Sequence, residues 1–90
     1  MSATASEALG VAPVLSGEEM YKLGLEASVS DGEQEADLVS AHMWFNLAAL
    51  RGNLEARAYR AELAMQMTSA EVAEAQRQAR AFLSEQRAVA

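Results

Sequence analysis

The 90-residue chain contains no cysteine, one proline, one histidine, one tryptophan, two tyrosines and two phenylalanines. Each shortage excludes something. Without cysteine there is no disulfide, no thiolate metal site and no thiol nucleophile, and the composition suits a reducing compartment. One histidine and no cysteine leave zinc without a ligand set. They also leave a Ser-His-Asp arrangement with nothing to support it. The five glycines are dispersed, so no glycine-rich phosphate loop is present. Met1 to Val14 holds no lysine or arginine. Its longest apolar stretch, Leu9 to Leu15, is interrupted by Gly10 and Pro13. Neither a signal peptide nor a membrane-inserted segment is expected from this, and the cytoplasm is the expected location.

What the chain has is alanine and acid. Hydrophobic residues make up 51% of it, a large share of them alanine, and β-branched residues are few, which favours helix over strand. A single domain of this size buries roughly 60–65% of its unfolded surface, enough for a modest core. The net charge is −6, and it is concentrated in the first half. Lys22 is the only base before residue 51, whereas Arg51, Arg57, Arg60, Arg77, Arg80 and Arg87 all follow. Such a chain is repelled by nucleic-acid backbones, so nucleic acid is not the expected partner.

Four helices are predicted after an N-terminal arm over 1–15 that is expected to be flexible. The first, over 17–28, opens on a Ser16-x-x-Glu19 capping box with Leu15 and Met20 at the staple positions. Met20, Leu23, Gly24 and Ala27 share one of its faces, with Tyr21 and Leu25 at the edge. A polar loop containing Asp31-Gly32 leads to Asp37, an N-cap residue for a second helix over 38–51 that Gly52 ends. This loop lacks the ligand spacing of an EF-hand and reads as a solvated turn. The second helix is apolar on nearly all sides, which predicts cover from several neighbours. A third helix, over 54–67 with Asn53 as N-cap, shows two apolar stripes. Ala56, Tyr59, Leu63 and Met67 form one; Leu54, Ala58, Ala61 and Met65 form the other. Two stripes predict a helix sandwiched between neighbours. The fourth, over 69–86, starts with a Thr68-x-x-Glu71 capping box and a Met67–Val72 staple. It collects Val72, Ala75, Ala79, Phe82 and Leu83 on one face, as suits a helix that closes a stack.

The segment from Asp37 through Ala41, Trp44, Phe45, Ala48, Ala49 and Gly52 to Ala56 resembles the second half of a Sel1-like repeat, whose pattern is D-x-x-x-A-x-x-W-[FY]-x-x-A-A-x-x-G-x-x-x-A. Tyr21-Lys22-Leu23-Gly24 is similar to the Y-x-L-G of that repeat's first helix. The resemblance covers roughly residues 18–60 and one full repeat. A second repeat would place Leu-Gly where Arg60-Ala61 stands. The resemblance implies an all-α fold of four helices in two stacked antiparallel hairpins over 16–90, similar to tetratricopeptide repeats, with the last helix as a cap. Family members are adaptors that hold partner proteins in assemblies, often in bacteria. A protein–protein interaction module with another protein as its partner is therefore implied. Repeat proteins gain stability from stacked neighbours, so an accessory subunit of a larger complex, or a self-assembling homo-oligomer, is the alternative.

No catalytic, cofactor-binding or metal-ligating residue is assigned, and an enzyme is not expected. His42 has only Asn46 one turn away as a partner and reads as an exposed helix histidine rather than a general base. Trp44 reads as core. The expected partner-binding strip is Val39, His42, Met43, Asn46 and Leu50 on the second helix, because exposed apolar patches mark interfaces. A second candidate surface joins Glu18, Lys22 and Glu26 of the first helix to Arg57 and Arg60 of the third.

Overall fold

A computed structural model describes residues 14–89, and the N-terminal arm expected over 1–15 lies almost wholly outside them. The described residues form an all-α fold of four helices: α1 (Gly17–Ala27), α2 (Leu38–Leu50), α3 (Leu54–Gln66) and α4 (Ser69–Val89).

The helix ends are fixed by local chemistry. The first amides of a helix have no intrahelical acceptor and take one from a side chain. At α1, the Glu19 amide donates to Ser16 Oγ at 3.0 Å and the Ser16 amide donates to Glu19 Oε1 at 2.7 Å. Thr68 and Glu71 repeat the reciprocal pair at α4, at 3.1 and 2.8 Å. Asp37 caps α2 by accepting from the Ser40 amide, and Asn53 caps α3 by accepting from the Ala56 amide. The staple residues Leu15 and Met20, and Met67 and Val72, belong to the core or pack against it. In the α1–α2 loop, Asp31 Oδ1 accepts from the Glu33 and Gln34 amides. Those amides hold its carboxyl below the usual carboxylate range.

The turn between α2 and α3 is three residues long, Arg51 to Asn53. Gly52 has φ +92°, and its amide donates to Ala49 O while that of Asn53 reaches back to Ala48 O. This is the Schellman arrangement, which needs a left-handed residue at the glycine position. Asn53 thus closes one helix and caps the next.

Tertiary structure is organised around α2. The other three helices each pack against it, and α3 and α4 make their main contacts with α2 rather than with each other. Its apolar circumference explains this. Ala41, Phe45, Leu47 and Ala48 are all fully buried, on more than one side of the helix. All five aromatic residues sit at its joints. Phe45 lies against Tyr21 of α1 (ring centroids 5.9 Å apart) and stacks on Tyr59 of α3 at 5.3 Å. Trp44 meets Phe82 of α4 edge-on at 5.5 Å. Ala75 and Ala79 are the buried residues of α4, flanked by half-buried Val72, Phe82 and Leu83, which is the face expected for a closing helix.

One expectation fails. In the first stripe of α3 Ala56, Leu63 and Met67 are buried while Tyr59 is 41% exposed, and the second stripe, Leu54, Ala58, Ala61 and Met65, faces out, with Leu54 70% and Met65 86% exposed. The sandwich predicted for α3 needed α4 alongside it, and α4 instead crosses to α2.

The closest joint is between α1 and α2. A Cβ built on Gly24 would lie 2.5 Å from Phe45 Cε1 and 2.6 Å from Cδ1. Phe45 has no free space to retreat into, being fully buried and stacked on Tyr59. Gly24→Ala is therefore expected to destabilise the domain by about 1–3 kcal/mol through overpacking, although alanine alone favours a helix interior by about 1 kcal/mol. Urea unfolding checks this, and a variant as stable as the parent would contradict the close approach.

Candidate partner-binding surface

The five residues expected to form one exposed strip on α2 do not share one environment. Leu50 is 62% exposed and Asn46 is half-buried, at the end of α2 nearest the turn into α3. Val39 and Met43 are half-buried and pack against the core. His42 is 3% exposed, so its reading as an exposed helix histidine is corrected. The physical reason is the central place of α2: with a helix on each of three sides, most of its circumference is enclosed. Of the strip, Asn46 and Leu50 are what remains near the surface beside α3.

There they meet arginines. Arg60 Nη1 donates to Asn46 Oδ1 at 2.7 Å, tying α3 to α2 across 14 residues of sequence. Beside this bond, Ala49, Leu50, Arg57 and Arg60 line an open surface pocket of about 300 Å³. Arg57 and Arg60 had been grouped by sequence with Glu18, Lys22 and Glu26, but no residue of α1 lines this pocket. The two guanidiniums lie one turn apart on α3 and face the end of α2. No acid lines the pocket, and among the described residues the ion pair present is Arg77 with Glu74, both on α4. In a chain of net charge −6 this is a local basic spot with an aliphatic wall. Sequence reasoning placed Arg57 and Arg60 on a surface but had no means of pairing them with Leu50, because the pairing depends on the angle between α2 and α3.

His42 lies behind this edge. Its Nδ1 has no hydrogen-bond partner among the described residues. Burial lowers its pKa, and the charge of Arg60 lowers it further. A buried imidazole kept neutral and next to a cation is poorly placed to serve as a base for an exposed substrate. Among the described residues no three His, Cys, Asp or Glu side chains gather in a way that could hold a metal ion, and no helix is long and apolar enough to cross a membrane. No family model, curated protein or solved structure matches the chain.

The depressed pKa of His42 has a consequence for stability. The folded state resists the proton that the unfolded chain accepts near pH 6.5, so protonation favours unfolding. The contribution of neutral His42 is complete above the unfolded value and is lost as pH falls from about 6.5 toward the lower folded value. The melting temperature is expected to fall between pH 7 and pH 5, with a smaller fall in His42→Leu, which places no titratable group there. Parallel pH profiles for the two proteins would rule this out.

Proposed function

We propose that this protein is a protein–protein interaction module, a small adaptor of Sel1-like build that binds and catalyses no reaction. The observation that carries it is the α2–α3 edge, where exposed Leu50 stands beside Arg57 and Arg60 with no acid in the lining. Arginine suits such a surface: its planar fork binds a carboxylate through two parallel hydrogen bonds and tolerates partial burial. The Asn46 bond holds Arg60 in advance, so less side-chain freedom is lost when a partner docks. An aliphatic side chain of the partner over Leu50 and Ala49, with a neighbouring carboxylate on the guanidiniums, would use both halves of the pocket.

The Sel1-like part of the proposal draws support from the behaviour of the signature residues. Gly24, Ala41, Phe45, Ala48 and Ala56 are all buried where helices meet, and Gly52 makes the left-handed turn. The cysteine-free composition fits a reducing compartment, and the cytoplasm, in a bacterium, is the proposed setting. The second reading, a structural subunit that is permanently associated, is favoured by the exposed outer stripe of α3.

Affinity capture from cells producing the tagged protein tests the adaptor role, with Leu50→Glu beside the parent. Leu50 is exposed, so the variant is expected to keep its melting temperature while placing an acid beside the arginines. The expected outcome is a stoichiometric protein retained by the parent and lost from the variant. A parent that is folded and retains nothing, or a partner held equally by both, would defeat the proposal for this edge.

A further inference from the structure

The outward stripe of α3 is spaced as a pairing seam. Leu54, Ala58, Ala61 and Met65 stand at intervals of four, three and four, which is the d-a-d-a register of a heptad repeat, and all four are exposed. They lie on the side of α3 opposite Ala56 and Leu63, which face α2. The two central positions are alanine, small enough for two helices to approach closely, and the ends carry the larger Leu54 and Met65.

The charges beside the seam decide what fits it. In this register Glu55 and Glu62 occupy the e positions, and Arg57 occupies the g position; all three are exposed. In a parallel pair of identical helices a g residue faces the e residue five positions later on the other helix. Arg57 then faces Glu62 of the second copy, and two-fold symmetry makes the same contact twice. In an antiparallel pair like flanks meet, g with g and e with e, which sets Glu55 against Glu62 and leaves Arg57 facing Ala64 with no acid to pair with. The flanking charges therefore favour the parallel arrangement and penalise the other.

We propose that α3 pairs in parallel with α3 of a second copy of this chain through Leu54, Ala58, Ala61 and Met65, with reciprocal Arg57–Glu62 ion pairs. This rests on the interaction-module reading only in taking α3 as a presented helix; a hetero-partner at Leu50 does not depend on it. The 13-residue helix is about 20 Å long. A seam of that length buries less than the roughly 1,200–2,000 Å² of a stable complex. The dimer is accordingly weak and reversible, populated at high local concentration.

Sedimentation equilibrium up to about 1 mM chain, where an association of roughly −4 kcal/mol becomes visible, is expected to show a species of twice the 9.6 kDa chain mass. Arg57→Glu and Glu62→Arg should each weaken association roughly tenfold by turning two attractive contacts repulsive, while the double variant, or an equimolar mixture of the two single variants, should restore it. All these positions are exposed, so unchanged melting curves verify that folding is intact. The chain has no cysteine, so Ala58→Cys and Ala61→Cys each introduce a lone thiol. Under mild oxidation a parallel seam gives disulfide dimers of each variant with itself, well ahead of a Gln76→Cys control on exposed α4. Three results would overturn the proposal: a monomer up to 1 mM, no recovery on swapping the charges, or a 58-to-61 cross-link outpacing both self-links. If Leu50-dependent capture of another protein persists in any of these cases, the interaction module survives and only the second copy is removed.

Discussion

Everything in this domain depends on how closely α1 can approach α2, and that distance is set by one missing methyl group. Gly24 presents bare backbone to the ring of Phe45. The ring is thereby sunk deep enough to meet both Tyr21 and Tyr59. That three-ring cluster joins α1, α2 and α3, and the two tyrosines also meet directly, with centroids 5.9 Å apart. A chain with so few aromatic residues has little bulk to spend, and alanine contributes little burial per residue. Close backbone approach compensates, because dispersion falls steeply with separation and alanine–glycine interfaces keep it short. The remaining aromatic pair, Trp44 with Phe82, plays the corresponding part on the other side of α2, where α4 closes the domain.

The features legible in the sequence are those decided within a few residues. Capping boxes, asparagine and aspartate caps and the glycine after α2 each involve neighbours three to five positions apart, and their hydrogen bonds form as their spacing implies. The apolar face of α4 and the cover of α2 from several neighbours were equally readable, since both follow from the pattern of apolar residues. What could not be read was which helix goes beside which. His42 has ordinary polar chemistry and a position on the mixed side of α2, so nothing local marks it as buried; only the enclosure of α2 does. Leu47 is fully buried by the same enclosure. The outer stripe of α3 was misread in the opposite sense, because its pattern was identical to that of a covered face and the fourth helix went elsewhere.

The candidate surface shows the same division. Arg57, Arg60 and Leu50 were each visible as surface candidates, yet in two separate groups. Their union into one pocket is a consequence of the short Gly52-Asn53 turn, which brings the end of α2 and the start of α3 together at a fixed angle. The Arg60–Asn46 bond then ties the two helices further along. An interface on two packed helices presents its groups with less loss of freedom than one on a loop, which matters for a surface that offers only a few contacts.

The central place of α2 also has a meaning in time. The chain is made from its N-terminus, so α1 and α2 leave the ribosome first and can form their glycine–phenylalanine joint at once. The side of α2 that carries Trp44 has no cover until Phe82, 38 residues later, has been synthesised. At elongation rates of roughly 5–20 residues per second this leaves it bare for several seconds. In that interval the nascent domain shows an indole that the finished protein half conceals, so the same side chain that locks the last helix in place is first an open invitation to chaperones.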